Sequence, residues 1–305
     1  MKTKVPSLSA NLLFTTLLAG ACLLFNGCAQ LSPGSKSPKR VLVVSTTTGF
    51  RHSSIPTAEK VLGELAQSSG AFTVEYARVE PNDPQFKGAD GKTDKAKVEA
   101  AIAAVLAEKM SVAAMKNYDG IIFANTTGDL PLPDKEAFIN WVKAGHAFVG
   151  MHSASDTFHG FPPFIEMLGG EFLTHGAQVE VDAINQDQQC PACRHLPATW
   201  KVFDEIYQFK NFERSKVHGL LTLDQHPNKK TPGDYPISWC KQYGKGRVFY
   251  TSLGHREDVW DVNTPPAFQR KNSPEVALAY QQHILGGIKW ALGLLPGDAR
   301  PQTAK

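Results

Sequence analysis

The chain is 305 residues long, with 42% hydrophobic and 20% charged residues, five cysteines and a formal net charge of +3. That composition belongs to a globular protein with an ordinary core and excludes a disordered tail, a collagen-like fibre and a disulfide-packed miniprotein. Basic residues number 32 against 29 acidic ones. They gather only in short pairs such as Lys39-Arg40 and Lys229-Lys230, so the electrostatic footprint of a nucleic-acid binder is missing and a small, weakly charged partner is expected.

Lys2 and Lys4 precede an apolar stretch from Leu12 to Phe25, too short for a standard membrane span and of the right size for the core of a secretory signal. Export is therefore expected, with residues 1–27 as a leader. The stretch ends in Gly27-Cys28, which resembles the lipobox of bacterial lipoproteins, and implies lipidation at Cys28 and a periplasmic or cell-envelope location with membrane contact through the lipid alone. Residues 28–39 read as a Ser/Pro/Gly tether, 40–295 as one folded domain and 296–305 as a C-terminal tail.

Within the domain, Val41 to Ser45 is an apolar run without alternation, as in a strand buried on both faces of a parallel sheet. A helix follows, with Ser53 and Ser54 as caps, Pro56 in its first turn and Ala58, Val61, Leu62 and Leu65 at helical spacing. Phe72 to Val79 alternates as a strand, a polar loop runs from Asn82 to Asp94, and an Ala-rich helix is expected from Lys95 to Met115. Asp119 to Ala124 reads as a strand, Pro133 to Val142 as a helix and His146 to Met151 as a strand. Between Phe172 and Leu223 the strands become shorter, as at Gln178 to Ala183 and Gly219 to Leu223. Arg247 to Leu253 is the last strand and Pro274 to Leu292 the closing helix. This alternation predicts a doubly wound α/β fold with a mostly parallel central sheet.

Ligands of such sheets bind beyond the carboxyl ends of the strands. Four of those ends carry polar side chains: Arg51 and His52 after the first strand, Asn125 after the Asp119 strand, His152, Ser153, Asp156 and His159 after the His146 strand, and His255 and Glu257 after the last. Glu205 and Tyr207 alternate about Ile206, so in a strand both face one way while Asp204 faces the other. Trp260, two places beyond Asp258, is expected to line the pocket, whereas Trp239 lies within a strand and reads as core.

The stretches Gly49-Phe50-Arg51-His52, Gly150 to Asp156, Val202 to Tyr207 and Gly244 to His255, in this order, resemble the ThuA-like (trehalose utilisation) family over nearly all of 40–295. The resemblance implies the class I glutamine amidotransferase-like fold, a flavodoxin-like three-layer α/β sandwich, and a carbohydrate ligand in pathways that pass through 3-keto-glycosides. True glutaminases carry a Gly-x-Cys-x-Gly elbow whose cysteine attacks the amide. Here the matching stretch is Gly150-Met151-His152-Ser153-Ala154, so His152 stands in the nucleophile's seat and covalent amide hydrolysis is excluded. Nor does Ser153 sit in a Gly-x-Ser-x-Gly context.

What remains is non-covalent acid/base chemistry on a sugar or 3-keto-glycoside, by isomerisation, elimination or hydrolysis. His152 is the expected base or acid, with His255 and Glu257 as a second proton-handling pair. Arg51, His52, Asn125, Ser153, Asp156, His159, Glu205, Tyr207 and Trp260 are the expected substrate-binding shell. The alternative is a non-catalytic carbohydrate-binding lipoprotein. A divalent metal held by histidines and carboxylates from separate loops is compatible with these residue types, but no local His-Glu-x-x-His signature assigns its ligands. Cys190 and Cys193 read as a disulfide stapling an exposed loop of an exported protein, and Cys240 as a buried thiol.

Overall fold

The parallel strands of the molecule end level with one another, and this alignment builds the site. The computed structural model describes residues 37–264 and 267–302. The expected leader, Cys28 and most of the tether lie outside the described residues.

In chain order, β1 (Lys39–Val44) leads to α1 (Ile55–Ser69), whose start is fixed by Pro56 in its first turn and whose end is Gly70 in the left-handed conformation. After β2 (Phe72–Ala77) comes α2 (Lys95–Lys109), capped by the Asp94 carboxylate accepting from Ala96 and Lys97 N–H. The single helix expected from Lys95 to Met115 is two. Ser111 accepts from the Ala114 N–H and starts α3 (Val112–Met115), because a serine hydroxyl competes well for the free amides of a helix start. Next come β3 (Gly120–Ala124), α4 (Lys135–Lys143), β4 (Ala147–Met151) and, after a 3₁₀ segment at His152–Asp156, α5 (Pro162–Leu168). An excursion of strands follows: β5 (Glu171–His175), β6 (Val179–Asn185), β7 (Thr199–Asp204), β8 (Tyr207–Lys210), β9 (His218–Gln225) and β10 (Pro232–Tyr243). The chain then returns through β11 (Gly246–Thr251), α6 (Glu257–Trp260) and α7 (Pro274–Ala291).

One nine-stranded sheet has the order β2-β1-β3-β4-β11-β10-β9-β6-β7, and β5 pairs with β8 apart from it. The first five strands are parallel, in the order of flavodoxin-like folds, and the rest continue the same sheet antiparallel. Alternation divides β1 between two cores: Val41 and Val43 face α1 and α7, while Leu42 and Val44 face α2 and α4. Beneath the second face, Phe123 packs against Phe138, Phe148 and Phe164 with ring centroids 5.1–6.0 Å apart. In register, Val44 sits opposite Phe123, and Met151 lies beside both Ala124 and Thr251. Residues following these strands consequently emerge at one rim.

Two sequence expectations change here. The Cys190–Cys193 segment is not an exposed stapled loop. Cys190, Cys193 and Cys240 are free, buried thiols, because the segment folds as turns against α7, where the Ala192 carbonyl accepts from His283 Nδ1 at 2.8 Å and the Ala279 carbonyl meets His195 Nε2 at 2.8 Å. Nor does the fold stop at residue 295: the Gln302 N–H donates to the Val217 carbonyl at 3.1 Å and His218 Nδ1 meets the Arg300 carbonyl at 2.9 Å. Among the described residues no helix is long and apolar enough to cross a membrane.

His283 gives the fold an acid-sensitive point. Its Nδ1–H is used by Ala192, and its Nε2 is buried without a partner, so a second proton would place a charge in the core. Burial pulls its pKa from 6.5 to about 4. The native state therefore binds fewer protons than the unfolded chain between those values. Stability is whole above the upper one and falls with acidification through the interval, by about 3 kcal/mol in total. Urea titrations across this range should show a shallower loss for His283→Leu than for the wild type. Equal slopes would refute this origin.

Candidate functional site

Three strand ends carry the imidazoles inward. After β1 the chain is strapped to the loop after β3, since the Thr48 N–H donates to the Thr127 carbonyl at 3.1 Å and the Thr127 hydroxyl donates to the Phe50 carbonyl at 2.7 Å. Gly49 permits this approach, because a Cβ there would stand 3.0 Å from Thr127 Oγ1. His52, next along, turns into the rim. At the end of β4, His152 adopts φ +47°, a left-handed conformation that non-glycine residues hold only when their surroundings insist. Its ring donates Nδ1–H to the Ser252 carbonyl at 2.8 Å and its own carbonyl accepts from the Tyr250 hydroxyl at 2.7 Å. Since a carbonyl only accepts, Nδ1 carries the proton and the neutral ring points a bare Nε2 into the cluster.

After β11, Gly254 presents its N–H to Asp204 Oδ2 at 2.7 Å, and its carbonyl accepts from Ser54 Oγ, Asn125 Nδ2 and Trp260 Nε1 at 3.0, 2.9 and 2.8 Å. These bonds fix the turn that delivers His255. The segment after β7 supplies Glu205, and Tyr207 opens β8.

Within the cluster His152 Nε2 lies 3.2 Å from His52 Nε2 and 3.1 Å from the Tyr207 hydroxyl. His52 Nδ1 is 3.3 Å from Ser153 Oγ. Glu205 reaches three histidines: His175 Nδ1 at 3.0 Å, His255 Nδ1 at 3.2 Å and His152 Nε2 at 3.9 Å. The His255 contact is one of charge and not an aligned hydrogen bond, because that nitrogen is buried with no hydrogen-bond partner. One ligand-capable atom from each of His52, His152, Glu205 and His255 falls within 4.8 Å of all the others. That is the donor set for a divalent transition metal.

Electrostatics divides the imidazoles. Burial, reinforced by His255, lowers His52 to about 4. Burial and the neighbouring His52 and His255 hold His152 well below the ordinary histidine value. Burial opposes charge on His255 as well, but Glu205, with Asp204 and Glu257, raises its pKa. Tyr207 is pushed up by burial and by Glu205. The site thus pairs two neutral imidazoles with one that favours its proton.

The expected residues separate into those that meet and those that do not. His52, His152, Ser153, Glu205, Tyr207 and His255 come together. Asp156 and His159 bond to each other, and His159 Nδ1 meets the buried Glu171 at 2.7 Å. Neither joins His152, because the 3₁₀ turn ends at Asp156 and His159 lies beyond it. Arg51 faces away from its neighbour His52, toward the Ser45 carbonyl at 3.3 Å and Glu80 at 3.0 Å. Asn125 is fully buried and braces Gly254. Glu257 opens α6 and adds only a more distant charge to His255, whereas Glu205 Oε2 lies 3.2 Å from His255 Nδ1 and takes the place expected of it. Trp260 is 0% exposed and packs edge-on to Tyr280 at 5.1 Å, so it belongs to the core and not to a pocket lining. Trp239, read as core, is also 0% exposed. His175 was missed: it closes the short strand β5, and nothing in its neighbourhood marks it out.

Cavities adjoin the rim instead of centring on the imidazoles. One of about 800 Å³ is lined by His159, Glu171, Lys210, Asn211 and Lys241, among others. Another of about 680 Å³ is bordered by Arg51, Arg78 and Glu80 on the α2 side. Solvent reaches the cluster past His255 and His175, whose side chains are 22% and 44% exposed.

Two solved structures share this architecture. A ThuA-like protein from Parabacteroides merdae matches with a TM-score of 0.59 and 19% identity, over 84% of this chain and 90% of its own. One from Bacteroides uniformis matches at 0.59 and 18% identity, over 86% and 94%. At these identities the likeness speaks for the fold. No curated protein matches the sequence significantly. The family model for ThuA, described as trehalose utilisation, matches residues 40–291, and the chain accordingly belongs to the ThuA family of trehalose-utilisation proteins.

Proposed function

We propose that the chain is an exported, lipid-anchored enzyme that acts on a sugar or 3-keto-glycoside by non-covalent acid/base chemistry at the imidazole cluster. The observation that carries this reading is the His152 ring, whose Nε2 is bared by the Nδ1–H bond to the Ser252 carbonyl and is flanked by the Tyr207 hydroxyl and by His52. A neutral imidazole in that setting is suited to removing a proton from a carbon beside a ketone. His255, paired with Glu205, is suited to returning one to an oxygen. Among the described residues no cysteine belongs to the cluster, and the elbow residue is His152, so the chemistry is not that of a glutaminase.

A second reading is a carbohydrate-binding lipoprotein without turnover. It is favoured by the position of the 800 Å³ cavity beside Glu171, Lys210 and Asn211, away from His152. Incubating the purified chain with glycosides and 3-keto-glycosides and following the mixture by NMR separates the two. New product resonances are expected with a 3-keto-glycoside. Saturable line broadening without product would establish the binding reading.

A further inference from the structure

We propose that His52, His152, Glu205 and His255 bind one divalent first-row transition-metal ion, with two neighbouring coordination positions left for the ketone and hydroxyl oxygens of an α-hydroxyketone. The second half rests on the sugar or 3-keto-glycoside substrate of the proposed function and not on His152 as its base, because a metal on His152 Nε2 takes the lone pair that a base would use. The first half rests on neither.

Spacing is the first argument. Ligand atoms at bonds of about 2.0–2.1 Å sit about 3.0 Å apart on adjacent octahedral positions and about 3.4 Å apart on tetrahedral ones. His52 Nε2 and His152 Nε2 are 3.2 Å apart, His255 Nδ1 and Glu205 Oε2 3.2 Å, and His152 Nε2 and Glu205 Oε2 3.9 Å. The three imidazoles stand nearly perpendicular to one another, at 85°, 87° and 76°, with centroids 4.6–5.3 Å apart. They surround a point instead of stacking.

Hydrogen bonding alone leaves the cluster incomplete. With Nδ1–H of His152 given to Ser252, its Nε2 can accept one proton, from the Tyr207 hydroxyl or from His52. If Tyr207 donates and His52 carries its proton on Nδ1 toward Ser153, two lone pairs face each other at 3.2 Å. If His52 donates, the Tyr207 hydroxyl has no acceptor there. In both cases His255 Nδ1 remains buried and unpartnered. A cation satisfies the inward nitrogens together.

The outward atoms are held as those of metal ligands usually are. His152 Nδ1 is on a backbone carbonyl, His52 Nδ1 faces the Ser153 hydroxyl, and Glu205 Oε1 is engaged by His175 at 3.0 Å. Four protein ligands in a six-coordinate shell leave two positions. The partly exposed His255 and His175 place the open side toward solvent.

The full chain, stripped with EDTA and dialysed, should bind one equivalent of Mn²⁺ or Zn²⁺ by calorimetry and gain in unfolding temperature. Glu205→Gln and His255→Ala should each weaken this by about 100-fold, with metal-free unfolding midpoints close to that of the stripped wild type. His146→Ala, at the opposite end of β4 from His152, should bind as the wild type does. Co²⁺ should give the weak visible bands of five- or six-coordination. Absence of stoichiometric binding, or wild-type affinity in both ligand variants, overturns the site. An intense tetrahedral Co²⁺ spectrum overturns the open positions. Product from the stripped protein with a 3-keto-glycoside would retain the acid/base reading without the metal, and tight metal binding with no product would retain the site and remove that reading.

Discussion

Turnover of a 3-keto-glycoside by His152→Asn should fall by about 10²–10⁴-fold, the usual contribution of a positioned acid or base. Asparagine is chosen because the backbone at this position has φ +47°, and asparagine tolerates that region better than alanine does. The variant thereby isolates the loss of the imidazole from backbone strain. Its cavity is small, and the Tyr250 hydroxyl can still bond the carbonyl of residue 152. Comparison of kcat with the urea midpoint of the same preparation is the deciding measurement. A kcat within twofold of the wild type, with folding intact, would remove His152 from the chemistry.

The second large effect concerns stability. Gly254→Ala should cost about 2–5 kcal/mol, the sum of positive-φ backbone strain and overpacking. Gly254 has φ +120°, and a Cβ there would stand 2.9 Å from the Tyr280 hydroxyl and 3.0 Å from the Trp260 ring, both within a fully buried pair. Neither ring can retreat without breaking the bonds that Tyr280 makes to the Leu253 carbonyl at 2.8 Å and Trp260 to the Gly254 carbonyl at 2.8 Å. Gly70→Ala is the reference, since Gly70 has φ +59° and a Cβ there would meet nothing within 4 Å. Its loss should be confined to backbone strain of about 1–2 kcal/mol. Denaturant titration of the two variants side by side gives, as their difference, the packing contribution together with the extra strain of φ +120° over φ +59°, and equal losses would contradict it.

How far the site could be read in the sequence depended on how local the cause was. The parallel strands were legible because β3 and β4 are apolar throughout, and their aligned ends follow from parallel pairing, which is why His52, His152 and His255 could be expected at one rim. Glu205 and Tyr207 could be paired from their spacing, and the Asp204 carboxylate is taken up by the Gly254 and Arg256 N–H groups. Side-chain direction in irregular turns was not legible. Arg51 and His52 are neighbours whose side chains diverge, Glu205 and not Glu257 is the carboxylate that meets His255, and His159 is drawn to Glu171, which opens strand β5. The cysteine loop misled for a related reason, since its burial comes from α7, which arrives more than eighty residues later in the chain, as the contact between Ala192 and His283 records.

The excursion between β4 and β11 contributes Glu205 and Tyr207, while the parallel half contributes the three imidazoles. Ancestry can therefore act on the two halves separately. Shortening or rewriting the excursion would remove the carboxylate and the phenol yet leave the strands that seat the rings, so relatives of this chain can trade one reaction for another, or lose reaction altogether, without rebuilding their scaffold.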